Sequence, residues 1–122
     1  MSFRNLILFE KSFELAMEIF EITKSFPREE IYSLTDQIRR SSRSVCANIA
    51  EAYRKRPYPK HFISKLTDSD AENAETQVWL EFALECKYID QKTFDGLSIK
   101  SEEVGKLIGY MIKNPKIFSA YQ

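Results

Sequence analysis

The sequence predicts an all-α protein: an antiparallel up-down four-helix bundle that assembles into a ring-like homo-oligomer. Three observations carry this. Apolar residues recur at i, i+3 and i+4 through most of the 122 residues, and no stretch shows strand-type alternation. Only three Gly and four Pro interrupt the chain, and they fall at short gaps between long periodic segments, which makes successive helices antiparallel neighbours. Two of the helices carry more apolar surface than one core-facing stripe requires.

Helix 1 is expected over about 5–25, closed by Phe26-Pro27-Arg28. Leu6, Phe9, Phe13, Ala16, Met17 and Phe20 form one stripe, the expected core face. Leu8, Leu15, Ile19, Ile22 and Phe26 form a second, displaced by about 140° at 100° per residue. Helix 2 is expected over about 29–54, with Ile31, Leu34, Ile38, Val45 and Ile49 inward and Asn48 at the edge of that stripe. Arg56-Pro57-Tyr58-Pro59 separates it from helix 3, expected over about 59–87. There Phe62, Leu66, Leu80 and Leu84 face the core, with Ser69, Asn73 and Gln77 in the same row, while Val78, Trp79, Phe82 and Cys86 point elsewhere. Lys87-Tyr88-Ile89-Asp90 leads into helix 4, about 91–113, and a loose tail covers 114–122. The whole chain, 1–122, reads as a single domain.

The second stripes of helices 1 and 3 read as a subunit interface, built from Leu15, Ile19, Ile22, Val78, Trp79 and Phe82. Polar residues in the core row need partners, since a buried unsatisfied amide costs about 1–3 kcal/mol. Pairing of Asn73 and Gln77 with Asn48 across helices 2 and 3 would supply them, making these residues structural together with Glu51. A ligand pocket built from the same amides is the alternative.

Composition bounds the chemistry. At 43% hydrophobic and 30% charged, with zero formal net charge, the chain has the balance of a soluble globular protein. Its N-terminus lacks the apolar core of a signal peptide, and no segment approaches membrane-spanning length, so a cytoplasmic protein without membrane contact is expected. Cys46 and Cys86 have no metal-ligand spacing and read as small apolar fillers within helices. His61 is the only histidine, so no metal set can be completed around it. Asp68, Asp70, Glu72 and Glu75 spread over more than half a helical circumference, the pattern of a solvated face. No phosphate loop, nucleophile–base pair or cofactor motif is present. No catalytic residue, metal or cofactor is expected, and the chain is not read as an enzyme.

What remains is charge. Between Ile38 and Lys60 stand seven bases (Arg39, Arg40, Arg43, Arg54, Lys55, Arg56 and Lys60) against one acid, Glu51, a local +6. Arg39, Arg40, Arg43 and Arg54 share roughly 100° of arc opposite the apolar stripe, an arrangement that can track phosphates of RNA or DNA. The segment Ser64–Asp90 holds seven acids and two bases, a net of −5. Ion pairing of the basic face with those acids, within a subunit or between subunits, is the competing reading. A nucleic-acid-binding scaffold and a protein-binding adaptor both fit, and a small-ligand-binding bundle comes third.

Several blocks resemble a known family. Phe26-Pro27, Tyr32-Ser33-Leu34, Gln37-Ile38-Arg39-Arg40, Ser44-Val45 and Asn48-Ile49-Ala50-Glu51 resemble the four-helix-bundle family of 23S rRNA intervening-sequence proteins. Glu75-Thr76-Gln77-Val78-Trp79-Leu80 and Tyr88-Ile89-Asp90 look like that family's third helix and its exit. The resemblance implies a cytoplasmic bundle that assembles into a ring, commonly a pentamer. The family is similar to the accessory variability determinant of diversity-generating retroelements, a basic pentamer that binds nucleic acid and a reverse transcriptase. Arg39, Arg40 and Arg43 match its basic helix 2, Asn48 and Glu51 its structural block, and no catalytic residue is implied. Many relatives have Gly where this chain has Ala52 and Lys87. The first departure implies a helix 2 that runs on unbroken, the second a third helix closed without the usual left-handed glycine.

Overall fold

A computed structural model describes residues 2–119. Four long helices, α1 (Ile7–Thr23), α2 (Leu34–Arg54), α3 (Pro59–Glu85) and α4 (Gln91–Lys113), are followed by a short α5 (Pro115–Ser119). No strand occurs among the described residues. The helices pack around one apolar centre in which Ile19, Ile38, Ile49, Phe62, Leu66, Leu80, Val104 and Ile108 are fully buried. A smaller cluster of Phe26, Leu34 and Ala83 closes one end.

The ends of the helices show how local chemistry sets their limits. A 3-10 turn, Phe3–Asn5, precedes α1 and is held by a reciprocal cap between Ser2 and Asn5. Helix α2 starts at Leu34 and not near residue 29, because residues 28–30 form a separate 3-10 turn. Ser33 is outside helical geometry, and its hydroxyl makes no cap bond to the helix. Glu30 does that work instead: its carboxylate accepts from the Leu34 N–H (3.2 Å), the Ser33 hydroxyl (2.6 Å) and the Tyr88 hydroxyl (2.8 Å). Asp90 caps α4 by accepting from the Thr93 N–H at 2.8 Å. Past α4, the expected loose tail instead starts a helix at Pro115, and Phe118 packs against the core. Residues 120–122 of that tail lie outside the described residues.

Helix α3 closes in a Schellman motif. The Tyr88 N–H donates to the Ala83 carbonyl and the Lys87 N–H to the Leu84 carbonyl, both at 2.9 Å. Lys87 sits in the left-handed region with φ 65°. The left-handed closure is therefore kept, with lysine where relatives carry glycine. Ala52, the other departure, is fully buried within an unbroken α2.

The polar core rows pair differently from the expectation. Asn73 donates to the Ser101 carbonyl (2.9 Å) and accepts from the Ser101 hydroxyl (2.9 Å), which Gln77 also reaches (2.9 Å). These amides thus lock α3 to α4, not to Asn48. Gly105 makes room for them: a Cβ there would meet Asn73 Nδ2 at 3.3 Å. Between α2 and α3 the ties are hydroxyls, with Ser41 and Thr76 sharing a 2.8 Å bond and Ser69 donating to the Val45 carbonyl at 2.9 Å. Asn48 bonds along its own helix to the carbonyl and hydroxyl of Ser44. Glu51 does tie α2 to α3, through Lys65 at 2.8 Å.

The two stripes of α1 exchange roles. Leu15 and Ile19, expected at a subunit interface, are 3% and 0% exposed and belong to the core. Ile22 is half-buried and packs against both clusters. Phe13 and Met17, expected inside, are 52% and 45% exposed. The buried row runs Leu8, Ser12, Leu15, Ile19, Thr23, and its two hydroxyls satisfy themselves on the carbonyls of Phe9 (3.0 Å) and Phe20 (2.8 Å). A polar residue that bonds back to its own helix can occupy the core, and this disguised the true inner face.

Candidate nucleic-acid interface

Because α2 is unbroken and buries Leu34, Ile38, Val45, Ile49 and Ala52 against its neighbours, its opposite side is fixed outward. Arg40, Arg43, Arg54, Lys55 and Lys60 are exposed, while Arg39 and Arg56 are half-buried. From Arg39 to Arg54 the band extends ~22 Å along the helix axis. Its N-terminal half borders a groove of about 450 Å³ lined by Thr35, Asp36, Arg39, Arg40, Arg43 and Ser44, among others.

The arginines are held by aromatic faces and backbone rather than by acids. Arg39 donates to the Thr23 hydroxyl at 2.8 Å, and its guanidinium lies 4.8 Å from the centre of the Phe20 ring. Arg43 approaches the same ring at 5.6 Å. Arg56 donates to the Tyr53 carbonyl at 2.8 Å and stacks 3.6 Å from the Tyr53 ring. The ion pairs among the described residues use Lys11, Lys24, Lys65 and Lys100, the last joined to Glu14 and Glu18. None of them uses Arg39, Arg40, Arg43, Arg54, Lys55 or Lys60. Pairing of this face with the acids of its own α3 is therefore absent from the ion pairs among the described residues. Asp68 is joined to Lys65, and Glu75 accepts from the Trp79 indole at 3.2 Å.

Two apolar hollows flank the band. One, of about 420 Å³, is lined by Phe3, Phe9, Phe13, Met17, Arg43 and Ala47, among others. The second, of about 480 Å³, lies across α2 and α3 and includes Glu30, Tyr32, Trp79, Phe82 and Cys86. Val78 and Phe82 are 49% and 52% exposed, and Trp79 is half-buried. Cys86 is exposed at the α3 C-cap, not a filler within a helix, whereas Cys46 is buried and burial pushes its thiol pKa up.

Titration behaviour adds a structural point and no catalytic one. The Ser33, Tyr88 and Leu34 donors hold the Glu30 carboxyl below its usual range, and the Glu30 carboxylate beside it pushes Tyr88 up to about 12. Lys65 is raised by its bond to Glu51. His61 is exposed, edge-on to Tyr58. Among the described residues no group of three or more His, Cys, Asp or Glu could hold a metal, and no helix is long and apolar enough to cross a membrane. Phe13, Met17 and Glu30 were the surface and capping residues missed by sequence reasoning. Only the surplus of apolar residues on helix 1 signalled the first two.

Residues 4–110 match the sequence profile of the 23S rRNA-intervening sequence protein family. The chain belongs to that family. It is similar to a solved protein of unknown function from the S23 ribosomal protein family of Bacteroides thetaiotaomicron, with 32% identity and a TM-score of 0.80 over 88% of this chain and 96% of that one. No curated protein matches. Membership and the bundle rest on these likenesses. The family description and the neighbour's name state no substrate and no reaction.

Proposed function

We propose that the protein is a non-enzymatic, cytoplasmic, oligomeric scaffold that binds RNA or DNA through the basic band of α2. The observation that carries this reading is the set of six cations, Arg39, Arg40, Arg43, Arg54, Lys55 and Lys60, without an ion pair among the described residues. Unneutralised charge on a rigid helix suits phosphates, and each phosphate met releases counterions. A ~22 Å band facing one phosphate per ~3.4 Å of a strand spans about six nucleotides.

Assembly multiplies such a patch, because linked sites raise effective concentration. The two apolar hollows are candidates for a heterologous contact between copies, which closes into a ring when the rotation allows. One is bordered by Arg43, the other by Glu30. A ring of five is what the family resemblance implies. The same juxtaposition favours a second reading, in which Arg39 and Arg43 pair with a neighbour's acids or with a protein partner, leaving Arg40 and Arg54 for other work. Arg40 and Arg54 are the cleaner test of nucleic-acid binding. Titration of labelled RNA and duplex DNA at several salt concentrations should show affinity falling steeply with salt. Arg40→Glu with Arg54→Glu should abolish binding without changing the mass measured by light scattering. Absence of binding at low salt would leave the adaptor reading ahead.

A further inference from the structure

The basic band ends in a recess that the α2 residues do not build alone. Ser2, Phe3 and Arg4 meet Tyr53, Arg54, Arg56 and Pro57 around a cleft of about 310 Å³. Three guanidinium-bearing residues line it, two from the end of α2 and one from the other side of the fold. No carboxylate is among the lining residues.

The wall is preorganised. The turn carrying Arg4 is fixed by the Ser2–Asn5 reciprocal cap and by Phe3, whose ring meets Phe9 at 4.9 Å. Arg4 itself lies 4.6 Å from the Phe3 ring. On the other side, buried Tyr53 holds Arg56 by its carbonyl and its ring. Arg54 complements the C-terminal dipole of α2, and Arg56 closes a terminal carbonyl. Arg4 does neither, and its presence adds a third positive charge to one recess. Like charges brought together repel unless an anion joins them.

We infer that the Arg4–Arg54–Arg56 recess binds a phosphate group, and a terminal phosphate monoester in preference to an internal diester. Guanidinium forks match phosphate oxygens bidentately. A monoester carries about −1.5 to −2 charge at neutral pH, a better balance for three cations than the single charge of a diester. A closed recess also suits a chain end, while the open groove along Arg39 and Arg40 suits a passing backbone. This assignment deepens the nucleic-acid reading by giving the α2 band a site for a terminal phosphate, but the recess itself can be tested without it.

Melting of the full chain in tens of millimolar inorganic phosphate, against chloride of equal ionic strength, is the first measurement. Phosphate also stabilises proteins by exclusion from their surfaces, so only the part that depends on the recess counts. The expected shift is roughly 2–4 °C, lost in Arg4→Gln and in Arg54→Gln and kept in Arg40→Gln. Arg4 and Arg54 are exposed, so neither change threatens the fold. No shift in the parent protein, or the same shift in Arg4→Gln, overturns the inference. The second measurement compares a 5′-phosphorylated oligonucleotide with its 5′-hydroxyl twin. About tenfold tighter binding of the phosphorylated strand, absent in Arg4→Gln, identifies a nucleic-acid end as the source. Equal affinities alongside a positive phosphate result identify a small phosphate compound instead. If phosphate binds and neither oligonucleotide does, the nucleic-acid reading fails and the recess stands.

Discussion

Replacing Lys87 by glycine should stabilise this protein. Lys87 holds φ 65° at the position where a Schellman motif needs a left-handed residue. A side chain there suffers a Cβ–carbonyl clash worth about 1–2 kcal/mol, and glycine removes it while returning about 0.5–1 kcal/mol through its looser unfolded chain. The expected gain is about 0.5–1 kcal/mol, or roughly 2–4 °C in Tm for a domain of this size. The motif itself should persist, because Tyr88 packs its ring on the Phe26–Leu34–Ala83 cluster beyond the turn. Thermal or urea unfolding at fixed protein concentration gives the answer, since assembly makes Tm depend on concentration. Lys87→Ala is the control. Alanine retains the left-handed penalty and loses only the charge, so it should not stabilise. A gain in Lys87→Ala equal to that in Lys87→Gly would refute the backbone argument and point to charge. A loss in Lys87→Gly would refute it outright.

Three further outcomes follow from the packing. Asn73→Ala should cost about 2–4 kcal/mol, because it removes two bonds to Ser101 inside the core, whereas Asn48→Ala should cost about 1 kcal/mol or less, its amide bonding only within α2; denaturant unfolding of the two variants compares them directly. Glu30, depressed in the fold, contributes stability that is present above its unfolded pKa near 4.5 and lost as pH falls through its folded value, while Tyr88, raised from 10.0 to about 12, contributes stability present below pH 10 and lost as pH rises toward 12. Unfolding across pH should show both flanks, and Tyr88→Phe should flatten the alkaline one. Trp79→Glu should weaken self-association in light scattering while leaving helix content intact, whereas Ile19→Glu should unfold the chain, since Ile19 is fully buried.

The bundle was legible because its signals are local and repeated. The spacing of Phe62, Leu66 and Leu80, the prolines at 27, 57 and 59, and the Asp90 cap each act within a few residues. Which stripe of α1 faces inward was not legible, because Ser12 and Thr23 lie in the buried row and count against it in any apolar tally. The start of α2 was missed for a similar reason: its capping group is the Glu30 side chain, three residues before Ser33. Pairing of Asn73 with Ser101 joins positions 28 residues apart, and no periodicity encodes a partner on another helix. The basic band could be seen in the sequence, yet its membership could not, since Arg4 reaches Arg54 and Arg56 only through the fold.

Salt separates the two uses proposed for this charge. A chain with zero net charge has no global field to attract nucleic acid, so attraction must arise from the α2 band at close range. Exposed cations such as Arg40 and Arg54 are screened within about 10 Å at 0.1 M salt, and affinity that depends on them should fall with a slope set by the phosphates neutralised. A contact between copies made by Phe13, Met17, Val78 and Phe82 buries apolar area, whose contribution is not screened. Raising salt should therefore release nucleic acid while the oligomer persists. Dissociation of both together would place Arg39 and Arg43 in the subunit contact as its main source of affinity, and would assign the basic band to assembly.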